Sequence, residues 1–253
     1  MAASDITVSG LNKVGAEDAA YLVSKIRTIP GFPKEGILFR DFMPVLADAR
    51  AFGILMGALE AALPVDVDDF DMVAGLEARG FLFGPALAAR LGKGFIAVRK
   101  AGKLPPETMS QSYDLEYGQA SMEIETNVVH EGVRVLIVDD LIATGGTANA
   151  ARSLIEKCGG VVAGFSFVME LTGIDGMKSL GDYPTSSLVC MPADNSVFVN
   201  HSEQTTKGND PWISMSIKPG NCSKNRVSRL LRQYSPRTPM KSPKRPTRLD
   251  IPM

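Results

Sequence analysis

The residues with the clearest chemistry lie between Val135 and Thr147, in the run VLIVDDLIATGGT. Its four leading apolar residues predict a buried strand. Two carboxylates, Asp139 and Asp140, follow at the C-terminal end, where open α/β sheets bind ligands. A short loop, Leu141 to Gly146, then runs directly into a helix. The loop glycines let a ligand approach the backbone, and Thr144 and Thr147 offer hydroxyls. Loop N–H groups converge with the helix N-terminus, whose dipole adds about half a positive charge. Such a cradle suits a phosphate monoester. The acid pair repels that phosphate, so it is read as a set of acceptors for sugar hydroxyls. A sugar phosphate satisfies both halves of the pattern. The GxxxxGK[ST] and GxGxxG phosphate loops of other nucleotide-binding proteins are absent.

The elements around this run are predicted from periodicity and punctuation. Segments 16–29, 49–63, 80–92 and 145–160 read as helices, and 71–76, 94–100, 120–126, 134–140, 161–171 and 186–191 as strands. Pro85 is expected in or near the first turn of its helix. Residues 30–36 are a turn-rich loop. Residues 101–118 show no clear period and are expected to form a long mobile loop, a length usually kept for function. Strand and helix alternate, so the fold class is α/β, a central parallel sheet flanked by helices.

Composition narrows the setting. The 253 residues carry a formal net charge of −1, but the charge is uneven. Residues 193–253 hold 11 Lys and Arg against 4 Asp and Glu, leaving 16 against 24 in residues 1–192. The chain therefore divides into a folded domain, 1–192, and a basic Ser/Pro-rich extension, 193–253, whose composition predicts disorder. Aromatic residues are sparse among the charges of the extension, so no nucleic-acid partner is expected. Three widely spaced cysteines and two histidines make a Cys/His metal site or disulfide framework implausible. A secretory signal and a bilayer-spanning run are both missing, which points to the cytoplasm.

The run VLIVDDLIATGGT resembles the PRPP-binding motif of the type I phosphoribosyltransferase family. Four further segments are similar to its adenine-specific branch: IPGFPKEGILFRD (29–41), GLEARGFLFGPALA (75–88), VRKAGKLP (98–105) and SYDLEYG (112–118). They stand in the family's order, and together cover roughly residues 20–192. The resemblance implies the type I fold, with a mobile catalytic loop, and transfer of ribose 5-phosphate from PRPP to adenine. It implies Mg²⁺ carried by PRPP and water rather than by protein ligands, and a homodimer.

The same resemblance assigns roles. Ala143, Thr144, Gly145, Gly146 and Thr147 would grip the 5′-phosphate, with Asp139 and Asp140 facing the ribose. Arg99, Lys100 and Lys103 would contact PRPP, and Arg79 would stand near base and pyrophosphate. Phe39 would stack on adenine, the backbone of Leu38 would read its edge, and Leu141 would close the opposite face. Glu116 would share a proton at adenine N7, and Tyr117 would help close the loop. From residues alone, Phe39 fits an ordinary core aromatic equally well, and Glu116 a solvated loop acid. Two other functions use the same motifs: a PRPP-sensing regulator, and a transferase for 6-oxopurines or xanthine. The loop acid and the basic cluster favour catalysis over sensing. The GILFRD and DLEYG segments favour adenine.

Overall fold

A computed structural model of the chain describes residues 5–32, 35, 38–114 and 119–193. Ten strands and six helices follow one another in these residues. The strands are β1 (Thr7–Val8), β2 (Arg27–Pro30), β3 (Leu38–Asp41), β4 (Met72–Leu76), β5 (Gly94–Lys100), β6 (Thr108–Asp114), β7 (Gln119–Glu125), β8 (Arg134–Ile142), β9 (Val161–Thr172) and β10 (Thr185–Pro192). The helices are α1 (Ala16–Lys25), α2 (Met43–Ala47), α3 (Ala49–Ala61), α4 (Gly80–Leu91), α5 (Gly146–Lys157) and α6 (Gly176–Ser179). Among the described residues, no helix is long and apolar enough to cross a membrane.

Eight strands form one sheet, in the order β1-β10-β9-β8-β4-β5-β7-β6. The five from β10 to β5 are parallel. Such strands are covered on both faces, which is why VLIV and its neighbours are continuously apolar rather than alternating. Val135 and Ile137 enter one core with Leu154 and Ile155 of α5. Leu136 and Val138 enter the other, with Leu55 and Leu59 of α3 and Phe83 and Leu87 of α4. The result is three layers, with the predicted α/β sheet in the middle.

Several boundaries differ from expectation. The helix predicted over 16–29 stops at Lys25, because Ile26 is extended and β2 begins at Arg27. Pro85 lies well inside α4 rather than in its first turn. That first turn closes through Phe81 N to Ala78 O and Leu82 N to Arg79 O, so the helix starts tightly, before Pro85 is reached. The expected loop 101–118 contains β6, paired along its length with β7. Met109 and Tyr113 of β6 pack on the α5 core, but Gln111 between them hides the period of two. β8 runs two residues beyond its predicted end. Leu141 therefore lies in a strand paired with Met169, not in a loop.

β2 and β3 make a separate two-stranded ribbon. It is tied to the N-terminal segment by Arg40 and Asp5, an ion pair whose side chains are each 3% exposed. Arg40 Nη1 also donates to Thr28 Oγ1 at 2.6 Å. Removing one partner from a buried pair of this kind costs about 3–5 kcal/mol. The ribbon that carries Leu38 and Phe39 is thus held firmly despite its small size.

Candidate active site

Strand order decides where the site lies. β4 has β5 on one side and β8 on the other, all parallel. The connection leaving β4 and that leaving β8 depart at a point where the strand order reverses. In open α/β sheets ligands bind at such a point, outside the carboxyl ends of the strands. Three segments line this edge: residues 77–79 after β4, 101–104 after β5, and 143–145 after β8.

At the end of β8, Asp140 is buried and Asp139 half-buried. Asp139 Oδ1 accepts from the Asp140 N–H at 2.9 Å. Burial raises the Asp139 carboxyl well above the usual carboxylate range, and the neighbouring Asp140 charge adds to that. Burial also raises Asp140, while Arg79 opposes the rise. Arg79 Nη1 lies 3.0 Å from Asp140 Oδ2. That oxygen nonetheless lacks a hydrogen-bond donor among the described residues. A buried acceptor without a donor marks this strand end as a place that wants a polar partner.

The glycine loop follows immediately. Gly145, at the N-cap of α5, has φ +81°, and no side chain caps the helix. Its first-turn N–H groups are left for an incoming anion. Thr144 Oγ1 takes only a long bond, 3.4 Å, from Gly146 N. Behind the loop, α6 presses against it. A Cβ on Gly176 would stand 2.0 Å from Ala143 O, and one on Gly145 would stand 2.0 Å from Ser179 Oγ. Asn149 Nδ2 reaches Gly145 O, Ser179 O and Ser179 Oγ, each at 3.2 Å. The sequence reading missed Asn149, Gly176 and Ser179, since α6 is too short for a periodicity signal.

The basic cluster is held by a carboxylate, that of Glu77. Glu77 Oε2 accepts from Lys100 N at 2.9 Å and from Arg99 Nε at 3.2 Å. The Lys100 N–H lowers the Glu77 pKa, burial opposes this, and Arg99 reinforces the lowering. Arg99 Nη1 donates to Lys103 O at 3.0 Å. The Arg99 guanidinium is therefore partly committed to shaping the turn. Among the described residues, neither Lys100 nor Lys103 has an ion-pair partner.

Phe39 is half-buried on the ribbon, outside both cores, and its ring meets the exposed Phe32 edge-on at 5.0 Å. It is therefore not an ordinary core aromatic. Leu38 is buried. No hydrogen bond, ion pair or ring contact among the described residues joins Leu38 or Phe39 to the loops at the sheet edge. Leu141 packs at the margin of the α3/α4 core. Glu116 and Tyr117 lie outside the described residues, within the connection from β6 to β7.

An acid pair at a strand end, an uncapped helix and a basic turn, gathered where strand order reverses, are the features expected of a phosphoribosyltransferase. Residues 52–183 match the family described as phosphoribosyl transferase domain. The chain is 70% identical over 193 residues to adenine phosphoribosyltransferase of Bifidobacterium longum strain DJO10A, covering 76% of this chain and 100% of that one. The crystal structure of adenine phosphoribosyltransferase from Thermoanaerobacter pseudethanolicus is 52% identical, with a TM-score of 0.65, covering 68% of this chain and 98% of its own. That of Saccharomyces cerevisiae, complexed with an imino-altritol bisphosphate and adenine, is 44% identical, with a TM-score of 0.63, covering 68% and 99%. The chain belongs to the adenine phosphoribosyltransferase family.

Proposed function

We propose that the protein transfers ribose 5-phosphate from PRPP to adenine N9, releasing pyrophosphate and forming AMP. The bond from C1′ to the pyrophosphate oxygen breaks, the bond from C1′ to N9 forms, and adenine gives up one proton. One observation carries this reading. The Asp140 oxygen that lacks a hydrogen-bond donor, the uncapped N-terminus of α5 and two lysines without ion-pair partners among the described residues share one sheet edge. A ligand with ribose hydroxyls, one phosphate and one pyrophosphate matches all three.

The work of this site is positioning and charge stabilisation. Residues 143–147 hold the 5′-phosphate, and Asp139 and Asp140 hold the ribose hydroxyls. Lys100, Lys103 and the remaining donors of Arg99 receive charge on the departing pyrophosphate. Arg79, beside Asp140, stands between sugar and base. Glu116 shares the adenine proton, and Tyr117 helps exclude water. Mg²⁺ held through PRPP and water would neutralise diphosphate charge. The carboxylates of Asp139 and Asp140, one with an open oxygen, fit its water ligands as well as sugar hydroxyls.

Adenine is favoured by the ribbon. Leu38 lies opposite Pro30, which has no N–H to donate to it. A Leu38 carbonyl not engaged by that partner can accept from a 6-amino group, whereas a 6-oxo group would repel it. Phe39 offers a ring face for stacking, with Leu141 on the other side of the base, and the Saccharomyces relative was crystallised with adenine. A homodimer and a cytoplasmic location accompany this reading through the family. The test is a rate panel with PRPP, Mg²⁺ and adenine, guanine, hypoxanthine, xanthine or orotate. Adenine is expected to react fastest, and faster turnover of any other base overturns the assignment.

A further inference from the structure

Glu123 is an acid buried at the middle of β7, 4% exposed. It sits opposite Arg99 of β5 on one side and Ser110 of β6 on the other. Its Oε1 accepts from Lys103 N and Leu104 N, both at 2.7 Å. Burial pushes its pKa up, but the N–H groups of Gly102, Leu104 and Lys103 outweigh that, and the carboxyl ends below its ordinary value. The N–H groups of Lys103 and Leu104, converging on one carboxylate oxygen, form an anion-binding concavity. Here the protein fills that concavity with its own carboxylate.

We propose that Glu123 is a positioning residue for the transfer reaction: it fixes the backbone of the 101–104 turn so that Lys103 is presented to pyrophosphate. The inference deepens the functional reading above and rests on it. The peptide of Lys103 is gripped at both ends, its N–H by Glu123 and its carbonyl by Arg99. Only the side chain is left to move, and it is exposed. An apolar replacement would take the acceptor away from the Lys103 and Leu104 N–H groups, and the turn would rearrange to satisfy them with water. β7 also receives the chain directly from residues 115–118. One carboxylate therefore joins the strand leading from the proposed catalytic loop to the turn carrying the proposed pyrophosphate lysine.

A purely structural role predicts equal losses for every ligand, whereas positioning of Lys103 predicts losses only for ligands that carry pyrophosphate. The full chain and its Glu123→Ala and Glu123→Gln variants are compared by calorimetric binding of AMP and of PRPP with Mg²⁺, and by initial rates. In Glu123→Ala, the PRPP KM and the pyrophosphate inhibition constant are expected to rise about ten-fold or more, the loss of one charge-assisted contact. The AMP Kd and the adenine KM should stay within about two-fold, since neither ligand reaches the turn. Glu123→Gln keeps one acceptor oxygen, so an intermediate effect is expected, and it carries the test if the Ala variant does not fold. Hydrogen exchange at Lys103 and Leu104 should accelerate in both variants. Equal loss of AMP and PRPP binding, or no change in either, overturns the proposal. A wild-type chain that binds neither ligand but keeps slow exchange at Lys103 and Leu104 overturns the functional reading, and the proposal with it.

Discussion

Asp139 and Asp140 are two adjacent acids taken partly out of water. Their charges are arranged for a ligand at the expense of the free fold. A carboxyl whose folded pKa is raised binds a proton more readily in the folded state. The cost of ionising it is therefore absent below the ordinary value of 3.8 and fully present above the raised one. Asp139→Asn removes one charge of the pair while keeping an oxygen for the Asp140 N–H. At neutral pH this variant should melt about 2–4 °C higher than the parent, a typical response for a chain of this size to ~1 kcal/mol. The gain should vanish near pH 4, and PRPP binding should weaken. Scanning calorimetry across that pH range checks the sign. A variant less stable than the parent at pH 7 would show that ligand-free Asp139 is stabilising instead.

At the scale of elements, the phosphate loop depends on a helix of only four residues, α6. Gly176 lets α6 approach Ala143 so closely that a methyl group there would overlap the carbonyl oxygen. The obstacle is backbone, which cannot swing aside as a side chain could. Gly176→Ala should therefore displace residues 143–145, and overpacking of this kind costs about 1–3 kcal/mol. Both AMP and PRPP should lose affinity, because both carry the 5′-phosphate. Titration of each ligand against the variant tests this. The outcome contrasts with the Glu123 variants, in which only pyrophosphate-bearing ligands should suffer. Unchanged AMP affinity would mean that α6 does not set the loop.

For the whole molecule, the question is whether residues 193–253 contribute. β10, which lies between β1 and β9 in the sheet, ends at Pro192, and Ala193 donates one bond to Thr172 O. Residues 194–253 lie outside the described residues. The Bifidobacterium relative is matched along its full length by 193 residues, so a chain lacking any such extension is complete in that protein. The extension is read as carrying no site. Truncation after Pro192 should leave kcat and KM within about two-fold and the melting temperature within a few degrees. Loss of folding or of activity on truncation would overturn that reading.

The acid pair, the glycine loop and the apolar run before them were legible because each is local: their spacing alone places two carboxylates and a helix start at one strand end. The five parallel strands of the sheet were legible for a related reason. Burial on both faces demands continuous apolar runs, and those are visible in single segments. β6 was not, because its inward positions are interrupted by Gln111 and its pairing with β7 is a tertiary fact. Glu123 was hidden for a similar reason. It falls in the polar phase of the alternating β7 segment and is buried only because the 101–104 turn folds over it. The run around Asp139 and Asp140 thus specified a sugar-phosphate cradle by its own chemistry. The pyrophosphate half needed β4, β5 and β8 to be neighbours, and strand order is set by packing across the molecule, which no single segment encodes.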